Sequence, residues 1–165
     1  KAKGVDTVFW DLRSRPLPIA LPEYHQDPMQ HPDQTVKEFV TEVDDANAII
    51  LGTPLYHGSY SGVLKNALDN LSFNAFRNKP VALGSNGSSI RTTSTPCEHL
   101  RSVVRTLYGY AIQSQICTAG DDYDTEGSQY ILTNEDVKRR CERMIDELIR
   151  LTEAIQSETL KMKNT

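Results

Sequence analysis

From Leu51 the chain reads Leu-Gly-Thr-Pro-Leu-Tyr-His-Gly-Ser-Tyr-Ser-Gly, setting Tyr56, His57, Ser59, Tyr60 and Ser61 within one short stretch. Tyr56 and Tyr60 offer flat faces, and His57 offers a ring that can donate or accept. Gly58 and Gly62 allow close approach of the backbone to a ligand. The run ends where a helix begins, with unpaired amides and a positive dipole end, so a planar and partly anionic group suits it. A second run, Gly84-Ser85-Asn86-Gly87-Ser88-Ser89, supplies small residues, backbone N–H groups and short hydroxyls. It suits the polar edge of a heteroaromatic ring. Together the two runs predict a flat cofactor clamped by backbone, rather than a nucleophile and its base.

Plainer roles compete for the same residues. Ser59 or Ser61 can simply cap the following helix, and Tyr60 can pack under its loop. His57 beside serines raises nucleophilic catalysis, but there is no GxSxG elbow and no carboxylate placed to orient the imidazole. His25, His31 and His99 read as surface or packing residues. Lys65 and Asp69, four apart, read as a weak surface pair. Cys117 reads as an inert core thiol, and the acidic run Asp121-Asp122-Tyr123-Asp124 as a solvated loop.

The elements that must position these runs alternate. Val5–Trp10 has the β-branched and aromatic content of a strand. Residues 12–32 hold five of the eight prolines and predict a surface excursion. Asp33 caps a predicted helix over 34–45, with Val36, Phe39, Val40 and Val43 at helical spacing. Asn47–Gly52 predicts a strand buried on both faces, and 61–72 a helix with Val63, Leu64, Ala67, Leu68 and Leu71 on one stripe. Lys79–Gly84 and Tyr110–Thr118 predict two further strands separated by a helix from near Pro96. Tyr130–Leu132 is apolar, and a last helix is capped by Thr133 or Asn134. This alternation predicts an α/β fold with a parallel sheet covered on both faces. Ligands bind beyond the carboxyl ends of such strands, where both polar runs begin.

Composition limits the classes further. The 165 residues are 38% hydrophobic and 24% charged, with a net charge of −4. That supports one domain over residues 1–156 with a polar tail over 157–165, and disfavours a nucleic-acid binder, which would carry a basic stripe. Three cysteines without CxxC spacing read as reduced thiols of a cytoplasmic protein and leave no metal site.

Leu51–Leu71 is similar to the signature of the NADPH-dependent FMN reductases, and within them to the bacterial azoreductase (azobenzene reductase) branch. The pattern is Pro, a variable residue, Tyr, then Asn or His, a short linker, and Leu-Lys-Asn-Ala-hydrophobic-Asp. The similarity continues through Lys79-Pro-Val-Ala-Leu-Gly-Ser-Asn-Gly87, Leu100–Tyr108, and Asp11-Leu12 with the following Pro-Leu-Pro. It spans the chain to about residue 150. Where many relatives carry Glu after the Pro, this chain carries Leu55.

The resemblance implies a flavodoxin-like, doubly wound fold of five strands in the order 2-1-3-4-5, with FMN at the carboxyl edge. It maps Pro54, Leu55, Tyr56, His57 and Ser59 around the isoalloxazine ring, and Ser85, Asn86, Gly87 and Ser88 along its pyrimidine edge. It also implies a phosphate-binding loop after the first strand, which on this mapping falls in a βα unit of about 30 residues before Lys1. Val5–Trp10 would then be the second strand. NADPH would reduce the flavin, and a quinone, azo compound or free flavin would take the electrons, in a homodimer or homotetramer. A flavodoxin-type electron carrier without substrate turnover is the alternative, disfavoured by the modest acidity.

Overall fold

A computed structural model describes residues 3–89 and 93–163. They divide into two compact units, Lys1–Ala46 with Gly62–Phe73, and Asn47–Ser61 with Asn74–Thr165.

The first unit is built on two helices. In α1 (Gln34–Asp45) the Asp33 carboxylate accepts the Thr35 N–H, and Val36, Phe39, Val40 and Val43 form the buried stripe that the spacing predicts. Helix α2 (Gly62–Asp69) is shorter than the apolar stripe suggests; Leu64, Ala67 and Leu68 are buried. The proline-rich excursion has only two short 3-10 turns, Pro22–Tyr24 and Pro28–Gln30. It is nonetheless tied down, because Asn66 accepts from the Ala20 N–H and donates to the Leu17 and Pro18 carbonyls, while Asn70 also donates to Pro18. Lys65 and Asp69 form the expected exposed pair at 2.6 Å.

The strand expected at Val5–Trp10 does not form. A strand is stabilised by a ladder and a covered face, and this segment has neither: Val8 is 66% and Phe9 87% exposed. Trp10 instead packs edge-on against Phe39, its indole N–H donates to the Arg15 carbonyl, and the Arg15 guanidinium lies 3.6 Å over its ring.

The second unit carries a parallel sheet in the order β1 (Ile49–Pro54), β2 (Pro80–Gly87), β3 (Tyr110–Ala119). Its sequential order matches the 3-4-5 half of the expected arrangement; the described residues show three parallel strands rather than five. Val81, Ala82 and Leu83 of the central strand are wholly buried. Strand β1 alternates between buried and exposed positions, with Ile50 55% exposed, so the expectation of burial on both faces fails for a strand at the sheet's edge.

Helices cover both faces of this sheet. Ala82, Ile112 and Ile116 pack against Val137, Met144 and Leu148 of α4 (Glu135–Lys163). Residues of the opposite parity on β2 face α3 (Thr95–Thr106), where Cys97, Leu100 and Val104 are fully buried. The acidic run after β3 is not simply solvated. Asp122 is buried, and its carboxylate accepts from the Ala119 N–H and the Asn134 side chain. Tyr123–Glu126 (β4) then pairs antiparallel with Gln129–Leu132 (β5). Of the two candidate caps for α4, Asn134 serves, accepting from the Asp136 and Val137 amides. The helix runs on to Lys163, through the polar residues after Gln156.

Candidate functional site

The first polar run leaves β1 as a tight turn. The Tyr56 N–H donates to the Ser59 carbonyl at 2.9 Å, and the Ser59 N–H returns to the Tyr56 carbonyl at 3.1 Å. His57 at φ 49° and Gly58 at φ 80° put both central residues in the left-handed region that such two-residue turns require. A Cβ at Gly58 would meet nothing within 4 Å, so the glycine is there for its backbone. For His57 that conformation costs on the order of 1 kcal/mol. Tyr56 is 61% exposed and His57 is exposed beside it. Their amides differ: that of Tyr56 closes the turn, while those of His57 and Gly58 have no partner among the described residues.

Three bonds fix this turn to the rest of its unit. Thr53 Oγ1 accepts from the Ser61 N–H at 3.0 Å. The Leu55 N–H donates to the Asn86 carbonyl at 2.7 Å, which continues the Pro54–Asn86 rung and joins the two polar runs directly. The Ser59 hydroxyl lies 2.9 Å from His99 Nδ1 on α3. Ser59 is thus bonded to α3 through its side chain, and its partner is His99 rather than the adjacent His57. This role for His99 was not legible in the sequence.

The second run is more regular than a loop. Ser85, Asn86 and Gly87 belong to β2, because neighbours persist on both sides: Ser85 pairs with Thr53 and Cys117, Asn86 with Pro54 and Thr118, and Gly87 with Ala119. Their alternation decides what each can offer. The Ser85 side chain turns inward, where its hydroxyl donates to the Thr93 carbonyl and lies 3.5 Å from Cys97 Sγ and 3.6 Å from Cys117 Sγ. With its hydroxyl turned inward and its backbone between two strands, Ser85 supports the strand end rather than facing a ligand. Asn86 turns to the other face and donates to Thr118 Oγ1 at 2.9 Å. A Cβ at Gly87 would come within 2.8 Å of Thr93 Cγ2 and 3.1 Å of Leu55 Cδ2, so Leu55 packs over that glycine. Ser88 is exposed just beyond the strand.

Cys117 is not an isolated core thiol. The hydrogen bond with Cys97 draws it below the ordinary thiol range, to about 6. The same bond, with burial, pushes Cys97 up. No cluster of metal-ligating side chains occurs among the described residues, and no described helix is long and apolar enough to cross a membrane.

The donor set fits the ring of a flavin. Exposed aromatic and imidazole faces stand on one run, and an amide with free capacity stands on the next strand. The unpartnered His57 and Gly58 amides are donors suited to the electron-rich ring atoms. The second run supplies both backbone and side-chain amide functions, as a pyrimidine edge requires.

The fold defines a class: a flavodoxin-like α/β protein, whose two polar runs meet at the carboxyl edge of its parallel strands. The model of the NADPH-dependent FMN reductase family matches residues 1–123. An FMN-dependent NADPH-azoreductase of Staphylococcus aureus is 35% identical over 162 residues, covering 98% of this chain and 86% of its own. Among solved structures, an oxidoreductase from Corynebacterium diphtheriae aligns with a TM-score of 0.65 at 18% identity, over 80% of this chain and 72% of that one. A WrbA-like flavodoxin from Agrobacterium tumefaciens aligns with a TM-score of 0.52 at 16% identity, over 71% of each chain. The chain belongs to the NADPH-dependent FMN reductase family, and is an oxidoreductase that uses FMN and NADPH.

Proposed function

We propose that this protein passes electrons from NADPH to flat acceptors, azo compounds and quinones foremost, with FMN held between the turn at 54–59 and the end of β2. When bound, FMN supplies the two-electron chemistry that no side chain here can perform. The observation that carries the reading is the direct bond from the Leu55 N–H to the Asn86 carbonyl, 2.7 Å, which brings the two runs to one edge.

The residues then divide the work. Pro54 and Leu55 set the height of the turn, Tyr56 and His57 border the ring, and Ser59 holds the turn closed from below. Gly87 and Ser88 offer backbone to the pyrimidine edge, Asn86 offers its side chain, and Ser85 anchors the strand end through its buried hydroxyl. A flat acceptor and NADPH would take turns on the open ring face, where Tyr56 provides a stacking surface. The azo class is favoured by the 35% identity to an azoreductase. The proposal includes a single flavin-binding domain over 1–156, a homodimer or homotetramer, and a cytoplasmic setting in keeping with three free thiols.

Purified protein incubated with NADPH and an azo dye or a quinone should oxidise NADPH at a rate that depends on added FMN. Flavin-loaded protein that leaves NADPH untouched with every acceptor would sink the reading in favour of an electron carrier.

A further inference from the structure

Thr118 collects three hydrogen bonds at the end of β3. Its Oγ1 accepts from Asn86 Nδ2–H at 2.9 Å and from the Tyr123 O–H at 3.0 Å, and its own proton is directed at the Ser85 carbonyl, 3.4 Å away. Thr118 is 4% exposed, so these bonds are made largely out of water, where their polarity cannot be exchanged cheaply. A hydroxyl has one proton and two lone pairs. With the proton committed to the Ser85 carbonyl, which can only accept, both lone pairs are left to receive donors, one from Tyr123 and one from Asn86. Asn86 must therefore present its NH2 to Thr118.

That fixes the other half of the amide. Asn86 Oδ1 has no partner among the described residues, and Asn86 is exposed at the strand end that meets the turn at 54–59. We infer that Thr118 is a positioning residue that holds Asn86 Oδ1 as the acceptor for a cyclic imide N–H, so that the site selects flat heterocycles carrying that donor. The inference rests on the flavin reading above and deepens it, since the flavin pyrimidine edge carries such an N–H between two carbonyls. Without the Thr118 hydroxyl, the Asn86 NH2 loses the acceptor that orients it. The amide is then free to rotate, and an NH2 facing an N–H leaves two donors without acceptors.

The test compares FMN with N3-methyl-FMN, which lacks only that proton, by fluorescence titration of flavin-free protein. Wild type should bind FMN more tightly by about tenfold, the scale of one unmatched buried polar group. Thr118→Val should bring the two constants together to within about threefold. Asn86→Ala, altering an exposed residue, should lose the same preference, whereas Asn86→Asp keeps an acceptor and should retain it. The Asn86 side-chain NH2 protons, followed by NMR without any flavin, should lose exchange protection in Thr118→Val. If wild type binds both flavins equally, or Thr118→Val leaves the ratio unchanged, the inference falls while the flavin reading stands. If neither flavin binds any variant, the flavin reading falls and takes the inference with it.

Discussion

Ser59 Oγ and His99 Nδ1 lie 2.9 Å apart and join the turn at 56–59 to α3 across a separation of 40 residues. The pair is partly open to solvent, which places its value near the low end for a hydrogen bond, about 0.5–1 kcal/mol. Its effect should fall on the ligand site, because the turn has few other anchors. His99→Ala and Ser59→Ala should each weaken FMN binding by about threefold, with little change in melting temperature. The double variant should lose no more than either single one, since both remove the same bond. Additive losses in that cycle would show that the residues act separately. No carboxylate bonds to His99 among the described residues, so a fluorophosphonate should label wild type no faster than Ser59→Ala.

Two glycines separate the demands of the site from those of the core. At Gly87 an added Cβ would stand 2.8 Å from Thr93 Cγ2 and 3.1 Å from Leu55 Cδ2. Leu55 then has to move, and with it the turn that it begins. At Gly109 the Cβ would stand 2.9 Å from Phe76 Cβ and 3.0 Å from Val104 Cγ1, well away from that turn's residues in the core beneath α3. Overpacking of this kind costs about 1–3 kcal/mol. Both Gly87→Ala and Gly109→Ala should lower the urea midpoint. Only Gly87→Ala should also weaken FMN binding in protein that remains folded. Equal effects on binding would remove Leu55 from the site.

Much of this arrangement was legible in the residues, and the gaps have physical causes. Helix α1 emerges as read because its Asp33 cap and four-residue stripe agree with each other. The two polar runs also meet as read, because parallel strands put successive carboxyl ends on one edge. Val5–Trp10 misleads because β-branched and aromatic content marks a strand only when a ladder is available. Ser85–Gly87 reads as a loop from composition, yet neighbouring strands on both sides extend the ladder through it. His99, Thr118 and Tyr123 carry no local signal at all. Their importance comes from contacts over 5 to 40 residues that only the folded register creates.

Glu147 ties α4 to β3 with both carboxylate oxygens, accepting the Gln113 N–H at 3.1 Å and the Ser114 N–H at 3.2 Å. The Ser114 hydroxyl, with these two amides, holds its pKa below the ordinary carboxylate value. A carboxyl depressed in the folded state adds stability above its unfolded pKa, about 4.3, and loses it as pH falls through the folded value. Glu147→Gln should therefore lower the denaturation midpoint at neutral pH, and the gap from wild type should close as pH is taken toward 3. A gap that persists undiminished in acid would mean that packing, not charge, carries the effect.

The Cys97–Cys117 pair gives the opposite half of the pH scale its shape. Cys117, drawn down to about 6 by its bond with Cys97, is a thiolate in the folded protein at pH values where the unfolded chain still holds the proton. Between that value and the unfolded thiol pKa, about 8.5, the unfolded state binds more protons, so stability rises with pH. Above that range the sign reverses. Cys97, raised by the same bond and by burial, and Cys141, raised by burial, keep protons that the unfolded chain has lost. Urea midpoints should climb from pH 6 toward pH 8.5 and fall beyond it. Cys117→Ser should flatten the climb, whereas Cys141→Ser should leave it in place and soften only the fall. A wild-type midpoint that stays level from pH 6 to 8.5 would show that Cys117 keeps its proton in the folded state.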